Sequence, residues 1–202
     1  MYYVGIDIGS TASEIASRLL DEGIDVMSEG VRVAATGYGR VAVDYADFVI
    51  TEITCHGRGG RELAGNECAI IDVGGQDTKV ILVDQGMIQD FLMNDKCSAG
   101  TGKFLEVMTN RLGLTQKELS ELASQGKDVT ISSMCTVFAE SEVISLIGKG
   151  TSREDIAYGV VESVAVKVAQ LISQLGGNPY FLTGGLCEDE YVISRLSHAL
   201  NA

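Results

Sequence analysis

Two stretches of this sequence share one pattern, and that pattern restricts the fold. Tyr2-Tyr3-Val4-Gly5-Ile6-Asp7-Ile8-Gly9-Ser10-Thr11 is a short apolar run ending in Asp, Gly and hydroxyls. Ala69-Ile70-Ile71-Asp72-Val73-Gly74-Gly75-Gln76-Asp77 repeats it 65 positions later. A strand that ends in Asp-x-Gly puts a carboxylate and a set of backbone N–H groups in one place. The carboxylate can orient water around Mg²⁺, and glycine lets the chain wrap a phosphate closely. One such loop reads better as an ordinary tight turn. Here there are two, and Thr183-Gly184-Gly185 adds a third glycine turn after another strand-like run. Three glycine-bearing strand ends in this order predict two lobes that clamp a nucleotide.

With 202 residues, 46% of them hydrophobic, the chain can bury a core as one large domain or two small lobes. Its net charge of −13 argues against nucleic acid or an anionic membrane as the main partner. A phosphate ligand must then be held by backbone N–H groups and metal. No apolar run approaches the roughly 20 residues needed to span a bilayer. The N-terminus shows no signal-like segment, so a cytoplasmic location is the expectation. Five cysteines, with no C-x-x-C spacing, favour free or metal-bound thiols over a disulfide framework.

Two of those cysteines stand in matching contexts. Cys97 lies in Asn94-Asp95-Lys96-Cys97-Ser98-Ala99-Gly100-Thr101-Gly102-Lys103, before a run with helical spacing (Phe104, Leu105, Met108, Leu112) that Gly113 stops. Cys135 lies 38 positions on, between a strand-like run (Val129, Ile131) and a helix-like one (Val143, Ile144, Ile147). A helix start favours negative charge, and so a thiolate. Each cysteine alone reads as a buried free thiol; the matched placement points to a shared ligand. An iron–sulfur cluster usually takes four thiolates, and a twofold dimer would supply them. Cys55, Cys68 and Cys187 read as structural, and His198 as a solvated helix residue. Glu140 and Glu142 could reach a ribose or simply complement a helix dipole.

The remaining pattern predicts helices over 13–25, 44–58 and 188–200, and strands over 31–35, 69–73, 78–83, 87–93 and 179–183. Capping boxes at Thr115-x-x-Glu118 and Thr151-x-x-Glu154 would open two more helices. The second would be long, with Ile156, Val160, Val164, Val168, Leu171 and Leu175 on one stripe.

Five segments together resemble a known family: 5–13, 35–40, 71–77, 93–102 and 135–142. They are similar to the activators of 2-hydroxyglutaryl-CoA dehydratase, within the BadF/BadG/BcrA/BcrD ATPase family. The resemblance runs from about residue 1 to 185. It implies an α/β, actin-like ATPase (ribonuclease H-like) fold of two lobes, with residues 1–66 as a shortened first lobe, 67–185 as the second and 186–202 as a terminal helix. It implies a homodimer that holds one [4Fe–4S] cluster between subunits on Cys97 and Cys135. It also implies that ATP hydrolysis drives a low-potential electron from a donor such as ferredoxin or flavodoxin into a partner dehydratase or reductase. Gly9, Ser10, Thr11, Ser13, Gly74, Gly75, Gln76 and Asp77 would hold the phosphates of ATP or ADP. Asp7 and Asp72 would face hydrated Mg²⁺, and Gln76 would place the attacking water. Gly184 and Gly185 would border the adenosine, with Glu140 a candidate for the ribose.

Two features depart from the family. Only 23 positions separate Ser13 from Thr36, where the family carries a strand hairpin and a helix, and Glu14 stands where Lys is usual. The chain also stops at Ala202, before further family elements. Both fall on the first lobe and bear on ATP affinity and turnover. Two other readings stay open at this point. One is a non-catalytic nucleotide- or metal-binding relative, and the other a small-molecule kinase, for which the cysteines have no use.

Overall fold

A computed structural model describes residues 2–9, 13–16, 30–132 and 135–202. The chain forms two compact units, Met1–Leu63 and Ala64–Ala202.

The first unit is built on a four-stranded sheet of order β2-β1-β3-β4. Strand β1 (Tyr2–Ile8) pairs antiparallel with β2 (Ser13–Ala16) and parallel with β3 (Val31–Thr36), which pairs parallel with β4 (Phe48–Val49). Its small core is Val4, Ile6, Val33, Ala35 and Val43. The expected helix over 13–25 begins instead as strand β2; residues 17–29 lie outside the described ones. The helix expected over 44–58 starts later, as α1 (Glu52–Ala64). Asp47 explains the shift. Its carboxylate accepts from Val33 N–H at 2.8 Å and pairs with Arg32, pinning this segment beside β3. The N–H and the guanidinium hold that carboxyl below its ordinary range. Thr51 then caps the helix, its Oγ1 accepting from Thr54 N–H.

The second unit carries a sheet of order β7-β6-β5-β8. Strand β5 (Cys68–Val73) is buried at all six positions. It runs antiparallel to β6 (Thr78–Asp84) and parallel to β8 (Tyr180–Thr183). Strands β6 and β7 (Met87–Asn94) form the expected hairpin. Its turn residues Gln85 and Gly86 both have positive φ, the hairpin geometry whose twist matches the strands. Four helices follow before β8: α2 (Gly102–Leu112), α3 (Gln116–Ala123), α4 (Thr136–Gly148) and α5 (Arg153–Leu175). After β8 comes α6 (Glu190–Leu200). The Thr115/Glu118 capping box forms as read. The second helix is capped one residue later than expected, by Ser152, whose hydroxyl accepts from Asp155 N–H. The run at Val129 and Ile131 forms no strand, in contrast to the strand expected there.

Helix α5 is long and apolar enough to cross a membrane by length and composition. In the fold it is a core helix. Ile156, Val160, Val164 and Val168 pack with Ile71, Val73 and Val80 of the sheet and with Phe104, Leu105 and Met108 of α2. Its first turn also anchors the segment before Cys135. Gly126 lies so close that a Cβ there would overlap the Glu154 carbonyl, and Lys127 N–H donates to Asp155 Oδ1 at 2.9 Å. Gly126→Ala is therefore expected to cost about 1–3 kcal/mol, because backbone must move to admit one methyl. Denaturant unfolding followed by circular dichroism checks this; an unchanged midpoint would show that this packing is not needed.

Candidate functional site

Strand β5 carries Asp72 to its C-terminal end, where β8 brings Thr183 opposite in register. Thr183 Oγ1 donates to Asp72 Oδ1 at 3.1 Å. Lys79, directly across on β6, donates to Asp72 Oδ2 at 3.1 Å and to Asp77 Oδ1 at 2.8 Å. The loop between the two acids is closed by Gly74 N–H, which donates to the Asp77 carbonyl at 2.9 Å. A Cβ on Gly74 would stand 2.8 Å from Asp77 Oδ1. The turn after β8 is equally tight: at Gly184 a Cβ would stand 2.5 Å from the Val73 carbonyl and 2.8 Å from Asp72 Oδ1. Asp72, Gly74, Asp77 and Gly184 therefore converge. The N–H groups of Gly75 and Gln76 donate to no described backbone group, and the Gln76 side chain is exposed. Gly185 opens a 3₁₀ turn, Gly185–Glu188, with open space where a Cβ would project.

The same loop holds the helix that follows Cys97. The carbonyls of Gly74 and Gly75 accept from the N–H groups of Gly102 at 2.9 Å and Lys103 at 2.7 Å, the first two residues of α2. Between them, the cysteine loop is pinned at several points. Asn94 Nδ2 donates to the carbonyls of Cys97 at 2.9 Å and Ala99 at 3.0 Å. Thr78 Oγ1 donates to the Gly100 carbonyl at 2.6 Å. Cys135 is the N-cap residue of α4. The residues following the two cysteines, Ser98 and Thr136, share a hydroxyl–hydroxyl hydrogen bond of 2.6 Å. The two cysteine loops thus meet within one chain. Both cysteines are half-buried, and a cavity of about 300 Å³ lies beside Cys97, lined also by Met93, Asn94, Lys167 and Gln170. Among the described residues there is no group of three or more His, Cys, Asp or Glu placed to hold a metal ion. Burial pushes the Cys68 thiol pKa up, which disfavours a thiolate there.

In the first unit Asp7 lies at the end of β1, opposite Thr36 on β3. Asp7 Oδ1 and Thr36 Oγ1 are both buried with no hydrogen-bond partner among the described residues. Gly37 leaves no room for a Cβ against that carboxylate. Gly9 is exposed just beyond the strand. Ser10 and Thr11 lie outside the described residues, and of Ser13 only its place on β2 is described. Glu140 pairs with Arg111 of α2, and Glu142 accepts from Ser132 N–H at 2.6 Å.

Sequence reasoning passed over Lys79, Thr36, Ser98 and Thr136. A signal for Lys79 was present: it is a charged residue inside a strand whose neighbours Val80, Ile81 and Val83 are all core. The two hydroxyls beside the cysteines gave none, because their bond joins loops 38 positions apart.

Residues 13–202 match the BadF/BadG/BcrA/BcrD ATPase family. The chain belongs to that family. It is 38% identical over 232 residues to the (R)-2-hydroxyglutaryl-CoA dehydratase activating ATPase of Acidaminococcus fermentans, covering 99% of this chain and 88% of the relative. The crystal structure of component A of that organism's dehydratase superposes with a TM-score of 0.88 at 36% identity, covering 100% of this chain and 90% of the other. The activator of 2-hydroxyisocaproyl-CoA dehydratase from Clostridium difficile, solved with bound ADPNP, superposes with a TM-score of 0.85 at 36% identity, covering 100% and 87%. The fold is thus the actin-like ATPase fold that the family resemblance implied. The 232 aligned positions exceed the 202 residues of this chain, so at least 30 of them are gaps opened in it.

For this family member, Gly184 is an exacting backbone position in the turn after β8. Its φ of +86° and ψ of 176° fall in a region open essentially to glycine alone. Gly184→Ala is expected to destabilise the second unit by about 1–3 kcal/mol and to displace Asp72. Chemical unfolding and a crystal structure of the variant check both; wild-type stability with Asp72 in place would contradict this account.

Proposed function

We propose that this chain is an ATP-dependent activator that passes a low-potential electron to a partner 2-hydroxyacyl-CoA dehydratase or a related acyl-CoA reductase. The observation that carries this reading is the pair of hydrogen bonds from Gly102 and Lys103 N–H to the carbonyls of Gly74 and Gly75. They tie a loop of phosphate-cradling character to the helix that follows Cys97. The Ser98–Thr136 bond extends the connection to Cys135.

In this reading Gly9, Ser10, Thr11 and Ser13 of the first unit, and the backbone of Gly74, Gly75 and Gln76 in the second, hold the phosphates of ATP or ADP, with Asp77 serving through its main-chain carbonyl, which closes that loop on Gly74 N–H. Gly184 and Gly185 border the adenosine. The buried Asp7 Oδ1, without a hydrogen-bond partner among the described residues, suits a water of hydrated Mg²⁺. Both Asp72 oxygens already accept protein hydrogen bonds, but a carboxylate oxygen has two lone pairs, so Asp72 can also meet a water of the same hydrated Mg²⁺. The exposed Gln76 amide orients the attacking water. Glu140 keeps α2 and α4 together through Arg111, beside any ribose contact.

Two thiols per chain are half of a four-thiolate set, and a second copy across a twofold axis completes it. One [4Fe–4S] cluster held so would take an electron from a donor such as ferredoxin or flavodoxin and release it at low potential. The exposed Val137, Phe138, Ile144 and Ile147 on the helix capped by Cys135 form the kind of apolar surface that marks an interface.

Cys97→Ala with Cys135→Ala is expected to abolish iron and sulfide binding while nucleotide binding persists, as checked by anaerobic iron and sulfide assay and calorimetry. Full iron in the double variant would sink the assignment. Coupling is tested separately. The midpoint potential should differ between nucleotide-free, ADP and ATP states by on the order of 40–130 mV, equivalent to about 1–3 kcal/mol for one electron. In Gly102→Val the added side chain would crowd Gly74 O, 3.2 Å from the Cβ position, and Gly75 Cα at 3.3 Å. That variant is expected to keep iron and nucleotide but to lose most of the potential shift in an anaerobic redox titration. A wild-type shift in the variant would show that coupling runs elsewhere.

A further inference from the structure

Lys79 is a charged group to which the reading above gives no task. Its side chain and that of Asp72 are each 5% exposed. Its ammonium bridges Asp72 at 3.1 Å and Asp77 at 2.8 Å. Stability alone is a poor explanation for such a group, since replacing a buried ion pair by apolar residues is often neutral or favourable. Position is a better one. The two carboxylates converge on Gly74: a Cβ there would lie 2.8 Å from Asp77 Oδ1 and 4.0 Å from Asp72 Oδ2. Two negative charges therefore border the backbone that would meet a polyphosphate, in a chain whose net charge is already −13.

We propose that Lys79 is a positioning residue for nucleotide: a resident counter-ion that holds Asp72 and Asp77 on itself and lowers the charge of the second loop from −2 to −1. A triphosphate then approaches backbone N–H groups without an unscreened carboxylate pair beside them. Thr183 satisfies the other Asp72 oxygen, so the pair has a fixed place from which to act. This inference rests on the ATP-binding reading of the loop.

The test is calorimetry of the full-length protein with the Mg²⁺ complex of a non-hydrolysable ATP analogue. Lys79→Met should weaken binding by about tenfold or more, and Lys79→Arg should stay within about threefold of wild type. The readout that packing alone would not move is charge rescue. Lys79→Met with Asp77→Asn restores the loop to −1 and leaves the Asp77 carbonyl in place for Gly74 N–H. It should recover most of the lost affinity without recovering thermal stability. Wild-type affinity in a folded Lys79→Met, or a double variant no better than the single, would reduce Lys79 to a structural ion pair. If Lys79→Met does not fold, Asp77→Asn alone replaces it: with one carboxylate removed and Lys79 kept, it should bind the analogue at least as tightly as wild type. Weaker binding there overturns the proposal. A wild-type chain that binds no analogue at all overturns the ATP-site reading beneath it as well.

Discussion

An apolar strand cannot carry a carboxylate into the protein interior unless something neutralises it there. Strand β5 does carry one, and the second unit is arranged around that need. Asp72 is 4% exposed at the end of a strand with no exposed position. An isolated buried charge is prohibitively costly, so both oxygens must be engaged. Lys79 comes from the antiparallel neighbour and Thr183 from the parallel one, each directly opposite Asp72 in its register. A slip of one residue on either side would turn the needed side chain to the other face. The ion pair therefore fixes the alignment of three strands, and that alignment brings the Gly184 turn against the Gly74 loop.

The loop then fixes a helix. The first N–H groups of any helix lack intrahelical partners, and most helices satisfy one with a side-chain cap. Helix α2 does not: Thr101 at its N-cap makes no such bond. The carbonyls of Gly74 and Gly75 fill that role instead. The approach is close: a Cβ on Gly102 would stand 3.2 Å from the Gly74 carbonyl and 3.3 Å from Gly75 Cα. The Cys97 loop is consequently held from both ends, by Asn94 on the hairpin side and by the glycine loop on the helix side. Any displacement of Gly74 and Gly75 reaches the helix start through two hydrogen bonds, a shorter route than the β6–β7 hairpin that joins them along the chain.

Much of this was legible in the sequence because it rests on local chemistry. The Asp-x-Gly strand ends, the hairpin turn, the Thr115 capping box and the glycine stop at Gly113 are each decided within a few residues. What could not be read depends on partners far along the chain. Asp47, tied to Val33 and Arg32, delays helix α1 beyond its hydrophobic pattern. Strand β2 is set by pairing with β1, against a spacing that reads as helical. The Ser98–Thr136 bond joins loops that nothing local connects. Lys79 shows the limit most clearly. Its residue type and strand position were visible, but its meaning came only with the two carboxylates it bridges.

The two Asp-x-Gly loops repeat in sequence but not in chemistry. Each Asp72 oxygen has a protein donor, Lys79 or Thr183, while Asp7 keeps a buried oxygen without a described partner, as does Thr36 on the paired strand. A buried orphan oxygen costs free energy in the empty protein, and a ligand that supplies a donor recovers that cost. The same fold element thus has opposite preferences at its two occurrences. The first loop leaves a buried acceptor open to a ligand that carries a donor, and the second carries its own cation in Lys79.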